Sequence, residues 1–143
     1  MINLLNKSIS TDQSKTTCLI RSAVGFVFLS EGIQKFLFAT ELGSGRFLKI
    51  GIPYPEFFGP FVGATEICCG VLILFGLFTR LASIPLLCIM LVAMITTKGT
   101  VFKEEGFWAL LHGSRTDWSM LLCSVYLLIR GGGKWSIDVL LKL

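Results

Sequence analysis

Charge is scarce in this chain. Lysine, arginine, aspartate and glutamate together make up 15% of its 143 residues, where a soluble domain carries about a quarter. Histidine is scarcer still, with His112 the only one. One imidazole excludes a haem held between two histidines of this chain and points away from a metal site. Cys18, Cys68, Cys69, Cys88 and Cys123 all sit in apolar runs, and no C-x-x-C is present. They read as small buried hydrophobes. Adjacent helical residues point about 100° apart, so Cys68 and Cys69 are not expected to bridge. The net charge of +4 is scattered, without a run of Lys or Arg, so there is no nucleic-acid footprint. Flavin, haem and iron–sulfur motifs are missing as well, as are internal repeats and low-complexity tracts.

Apolar residues are abundant. They make up 53% of the chain, and its mean hydropathy is +0.76. A chain this small cannot hide that much apolar surface in one core. Lipid is the economical solvent, so the sequence reads as an integral membrane protein whose first partner is the bilayer.

Four apolar segments stand out, at residues 16–39, 57–78, 81–97 and 118–129. The first two reach the roughly 20 residues that span a bilayer. The third is marginal and the fourth short. Trp118 at one interface and a snorkelling Arg130 at the other extend the fourth. No alternating polarity supports a barrel, and a membrane backbone must satisfy its own polar groups, so helices are expected. The fold class expected is all-α: a four-helix integral membrane bundle with short loops and a C-terminal interfacial segment.

Residues 1–17 read as a polar cytoplasmic tail, with an interfacial stretch at residues 2–5. The apolar run that follows is too long for a signal peptide. Residues 18–130 form the four-helix domain, and residues 131–143 an amphipathic tail on the membrane surface. The loop at 40–56 is expected to be irregular at Pro53 and Pro55, and "TRLAS" makes a tight turn between segments two and three. The loop at 98–117 carries "GFWALLHG", too short to span and read as interfacial or re-entrant. Lys and Arg are slightly more numerous on the side of the termini, which favours both termini in the cytoplasm.

Charges inside the apolar segments carry the functional signal. On the first helix Arg21, Gly25, Phe28, Gly32 and Lys35 fall within an arc of about 80°, with Glu31 at its edge. On the second, Gly59, Gly63, Glu66 and Gly70 fall within about 60°. Glycines let another backbone approach and charges avoid lipid, so both stripes should face protein. Each such charge costs at least roughly 2.5–3.5 kcal/mol on insertion scales. Glu31 and Lys35 stand one turn apart in the favourable order. Two roles stay open for Glu31, Lys35 and Glu66: a network that fixes helix register, or a proton relay or ligand site between helices. Gln34, His112, Arg115, Asp117 and Trp118 are candidate ligand-binding residues around it. Asp117 could instead cap the fourth helix, and Gln34 points nearly 100° from Lys35. Phe28, Phe36, Phe61, Trp108 and Trp118 could wall a flat ring, or simply face core and lipid.

The pieces "GFVFLSEGIQKF", "GATEICCGVLILFGLFTRLAS", "GFW" and "GGGKWSIDVLL", in this order and spacing, resemble the DoxX family of small bacterial membrane proteins. The resemblance runs from about Leu19 to Leu141. It implies a four-helix membrane bundle associated with quinone-linked sulfur oxidation, or with oxidative-stress complexes beside superoxide dismutase and a sulfurtransferase. The expected function is an accessory or quinone-facing subunit of a redox complex in the bacterial inner membrane. It would have no intrinsic cofactor and would work with membrane or peripheral redox partner proteins. The alternatives are an assembly or binding protein, or a small-solute or proton permease, for which a homo-oligomer is expected.

Overall fold

The computed structural model describes residues 11–141, so the interfacial stretch expected at residues 2–5 lies outside the described residues. Helix α1 is Thr17–Leu37, α2 is Ser44–Lys49, α3 is Pro55–Phe75 and α4 is Thr79–Ala93. A π-helical turn, Met94–Lys98, carries α4 into α5, Gly99–Glu105. Then come α6, Phe107–Gly113, α7, Arg115–Arg130, and the short α8, Ile137–Leu140. No strand occurs among the described residues.

Among the described residues, two stretches are long and apolar enough to cross a membrane, Pro55–Phe75 and the continuous Thr79–Glu105. Helix α1 has the same length as α3, but Arg21, Glu31, Gln34 and Lys35 dilute its apolarity. Helix α7 is shorter, at 16 residues.

Glycine sets the main interface, between α1 and α3. A Cβ on Gly32 would lie 2.7 Å from the Gly63 carbonyl oxygen and 2.9 Å from the Ile67 nitrogen. A Cβ on Gly70 would lie 2.9 Å from the Leu29 nitrogen and 3.1 Å from the Gly25 carbonyl oxygen. Gly25 to Gly32 and Gly63 to Gly70 are each two turns, so the antiparallel backbones touch twice along one seam. Helix α7 packs mainly on α4 and also touches α1, and α4 packs on α3.

Buried positions are polar about as often as apolar, unlike those of a soluble domain. Thr17, Arg21, Glu66, Thr79, Ser83, Ser114, Ser124, Ser136 and Asp138 are buried, about as many residues as the apolar core around Val24, Phe28, Ile73, Leu86 and Leu127. Leu19, Phe26, Phe57, Phe75, Ile95 and Trp108 are largely exposed. Apolar side chains outward and polar ones inward is the arrangement that lipid favours.

Several boundaries differ from the sequence expectation. The loop at 40–56 contains α2, and Pro55 opens α3, because proline lacks the N–H that a first helical turn cannot use. The loop at 98–117 is mostly helical, as α5 and α6. The third segment runs past 97 because its ladder widens rather than breaks. The Thr96 hydroxyl donates to the Val92 carbonyl at 2.8 Å, satisfying an acceptor near the π turn.

One end of the molecule is tied by its C-terminal segment. Helix α3 ends at Gly76 in the left-handed region (φ +68°), and α4 starts after Phe78, also left-handed (φ +48°). Asp138, from beyond α7, accepts from the N–H groups of Phe78 (2.7 Å) and Thr79 (3.1 Å) and so caps α4. Its own N–H donates to the Gly76 carbonyl at 2.9 Å. Buried Arg21 donates to the carbonyls of Gly132 (2.8 Å) and Trp135 (2.6 Å). In the segment expected to lie on the membrane surface, Asp138 is turned inward while Trp135, Leu140 and Leu141 are exposed.

Candidate functional site

The α1–α3 seam places Lys35 opposite Glu66. Both helices bring backbone rather than side chains to the contact, so a lysine on one can reach a carboxylate on the other. Lys35 Nζ donates to Glu66 Oε2 at 2.6 Å, and both side chains are nearly covered, at 12% and 4% exposure. Glu31 lies further off, with Oε2 3.8 Å from the same Nζ and half its side chain exposed. One ammonium therefore serves two carboxylates unequally.

This cluster borders a cavity of about 620 Å³ between α1, α2, α3, the α4–π segment and the start of α7. Glu31, Lys35, Glu66, Arg46 and Asp117 are its charged lining groups, and the Cys88 thiol lines it as well. The remaining wall is mostly apolar, with Phe28, Phe47, Phe58, Phe61 and Met120 among its members. Such a space suits an amphiphilic small molecule: pockets of about 300–1,000 Å³ with apolar walls and a few placed polar groups are the usual form of ligand sites. A ring with polar oxygens fits that donor set, with Lys35 supplying hydrogens and Glu31 a free acceptor.

Glu31, Lys35, Glu66 and Asp117 are brought to one cavity. Gln34, His112, Arg115 and Trp118 are not. Gln34 turns away and donates to the Ser30 hydroxyl at 2.8 Å. Arg115 donates to the His112 carbonyl at 2.9 Å, and both side chains are exposed outside the cavity. Trp118 is exposed on the outer face of α7. Asp117 does not cap α7, which begins two residues before it. It sits in the first helical turn and pairs with Lys98 at 2.9 Å, while Lys98 also donates to the Gly113 carbonyl at 2.6 Å. Of the glycines, Gly25, Gly32, Gly63 and Gly70 lie in the α1–α3 seam, whereas Gly59 packs against Ser44 of α2. Of the five ring candidates, Phe28 and Phe61 reach the cavity and Phe36, Trp108 and Trp118 do not. All five cysteines are free, with Cys68 exposed and Cys69 buried.

Arg46 is the charged lining group that sequence reasoning missed. It lay in a stretch expected to be an irregular loop. The "GSGRFLK" sequence there carries no helix signal, since Gly43 and Gly45 disfavour a helix, and the close approach of Gly45 to Thr40 shows only in the structure. Thr96 and Thr97 were missed too, because only the π turn swings them onto the cavity.

Comparison with known proteins follows the same outline. The family described as DoxX matches residues 16–99. A membrane protein of Mycobacterium tuberculosis, without an assigned activity in its name, is 51% identical over 125 residues, covering 83% of this chain and 77% of its own. A Bacillus subtilis protein, CatD, which its name proposes to be an oxidoreductase, is 30% identical over 122 residues, covering 85% and 84%. No solved structure gives a significant match.

Proposed function

This chain belongs to the DoxX family of membrane proteins, and from that premise we propose that it is a quinone-facing subunit of a redox complex in the bacterial inner membrane. The observation that carries this reading is the Lys35–Glu66 pair, 2.6 Å long, at the edge of a cavity of about 620 Å³ with mostly apolar walls. The proposed oxidoreductase role of the Bacillus relative points the same way. On this reading α1, α3, α4 and α7 form a four-span bundle. Residues near both ends of the chain lie together, since the Asp12 N–H donates to the Arg130 carbonyl and the Lys134 N–H to the Ser14 carbonyl. Both ends would then lie on one side of the membrane, and the slight excess of Lys and Arg there favours the cytoplasmic side.

A bound quinone supplies two-electron, two-proton chemistry. The chain's residues divide the remaining work. Lys35 donates a hydrogen bond to a ring carbonyl and keeps its pairing with Glu66. Glu31, half exposed and only loosely held, takes up or delivers a proton at the cavity wall. Phe28, Phe47, Phe58 and Phe61 would supply the apolar wall against which a ring could pack. Electrons reach the site from a partner protein of the sulfur-oxidation or oxidative-stress type. The test is to purify the protein in mild detergent and extract quinone. About one quinone per chain is expected, and Lys35→Met/Glu66→Leu, which leaves no stranded charge, should lose it with helix content unchanged. Repeated absence of quinone, with no stabilisation on adding it, would remove this reading.

A further inference from the structure

At the opposite end from the cavity, α4 and α7 frame a second hollow of about 460 Å³, lined by Thr11, Asp12, Arg80, Ile129 and Arg130. Two of its five lining residues are arginines, placed where spanning helices meet the interface. Arg80 is the second residue of α4, and Arg130 the last of α7. Arg80 Nε is buried and has no hydrogen-bond partner among the described residues. A buried guanidinium nitrogen without an acceptor is costly, and it marks a place where an acceptor belongs. Arg130 Nη1 meets Asp12 Oδ2 at 2.9 Å, so one carboxylate offsets only one of the two cations. The Thr11 hydroxyl accepts from the Gly133 N–H at 2.5 Å and keeps its own hydrogen to donate. Asp138 already takes the N–H groups of Phe78 and Thr79 at the start of α4, and the hollow is lined by side chains that carry the charge. Ile129 lines the hollow, and Val125 and Leu122 follow it four and seven residues earlier on the same face of α7, all three exposed.

We infer that this hollow is a binding site for a membrane phospholipid, with its phosphate between Arg80 and Arg130 and an acyl chain along Ile129, Val125 and Leu122. Guanidinium groups bind phosphate through paired N–H donors, and a lipid brings apolar chains that match the stripe below. The occupant's charge is that of a phosphodiester, opposite to the net charge of the hollow. This site is separate from the quinone cavity and does not depend on it.

The test uses the purified full chain, delipidated in mild detergent and titrated with phosphatidylglycerol, with bound lipid counted by native mass spectrometry. One tightly held lipid per chain is expected. Arg80→Gln/Arg130→Gln should weaken it at least about tenfold, as loss of charged hydrogen bonds implies. Asp12→Asn should strengthen it, because a carboxylate competing for Arg130 is gone. If the double variant unfolds, the single Arg80→Gln variant gives the same readout. Diacylglycerol with the same chains should not be retained. Equal binding by the double variant or by diacylglycerol overturns the site. Stabilisation by inorganic phosphate equal to that by lipid would assign the arginines to a free anion and overturn the lipid.

Discussion

Glu66 shows how one residue's environment decides its role. Its carboxylate is almost wholly covered and held by a single ammonium at 2.6 Å. Removing Lys35 strands that charge, and breaking a buried pair from one side typically costs about 3–5 kcal/mol. Lys35→Met should therefore destabilise the protein more than the double change Lys35→Met/Glu66→Leu, which leaves no charge behind. Thermal unfolding in detergent measures both. A double variant no more stable than the single would show that Glu66 finds another partner. Spacing along α1 made Glu31 visible as a neighbour of Lys35, since residues four apart share a face. The same spacing could not rank a partner on another helix. The shorter bond goes to Glu66, across the seam, and Glu31 is left looser at 3.8 Å. Arg46 stayed hidden for a related reason, because its place on the cavity wall depends on the way α2 folds back onto α3.

Among elements, the α1–α3 pair is the most legible in sequence. Glycines two turns apart on each helix predict a close backbone approach, and the contact occurs at both levels. The approach is uneven, which separates the glycines experimentally. A methyl on Gly32 meets the backbone of Gly63 and Ile67, which cannot step aside. A methyl on Gly63 first meets the edge of the Phe36 ring at 3.0 Å, a side chain able to turn. Gly32→Ala should cost about 1–3 kcal/mol, as overpacking does, and Gly63→Ala distinctly less. Equal losses in unfolding midpoint would mean that the ring is as fixed as the backbone. The strap after α4 was not legible. Hydropathy falls at Lys98, yet helix continues through the π turn, because Lys98 gains Asp117 and the Gly113 carbonyl as partners from distant sequence. Window hydropathy registers the cost of the charge and not those partners.

For the molecule as a whole, the apolar exterior and polar interior were foreshadowed by composition, but the arrangement of the interior was not. The closing "WSID" was noticed in sequence without a structural role. In the structure its Asp138 is 1% exposed and caps α4 from 60 residues away. Asp138→Ala removes two hydrogen bonds to an ionised acceptor at a helix start and should cost about 2–4 kcal/mol. Asp138→Asn, which keeps an acceptor oxygen, should cost less. Calorimetry of the three proteins in one detergent gives the order. An alanine variant as stable as the parent would show that water replaces the cap.

That cap also sets an order of events during synthesis. The turn between α3 and α4 leaves the ribosome about 60 residues before the carboxylate that closes it. At roughly 5–20 residues per second the hairpin waits some 3–12 s in an unfinished state. Through that interval the Phe78 and Thr79 N–H groups are open to any passing acceptor, and Arg21 has yet to meet its carbonyls. The stretch after α7 is thus a latch, and a nascent protein halted before it would show membrane quality control an open hairpin and a bare arginine.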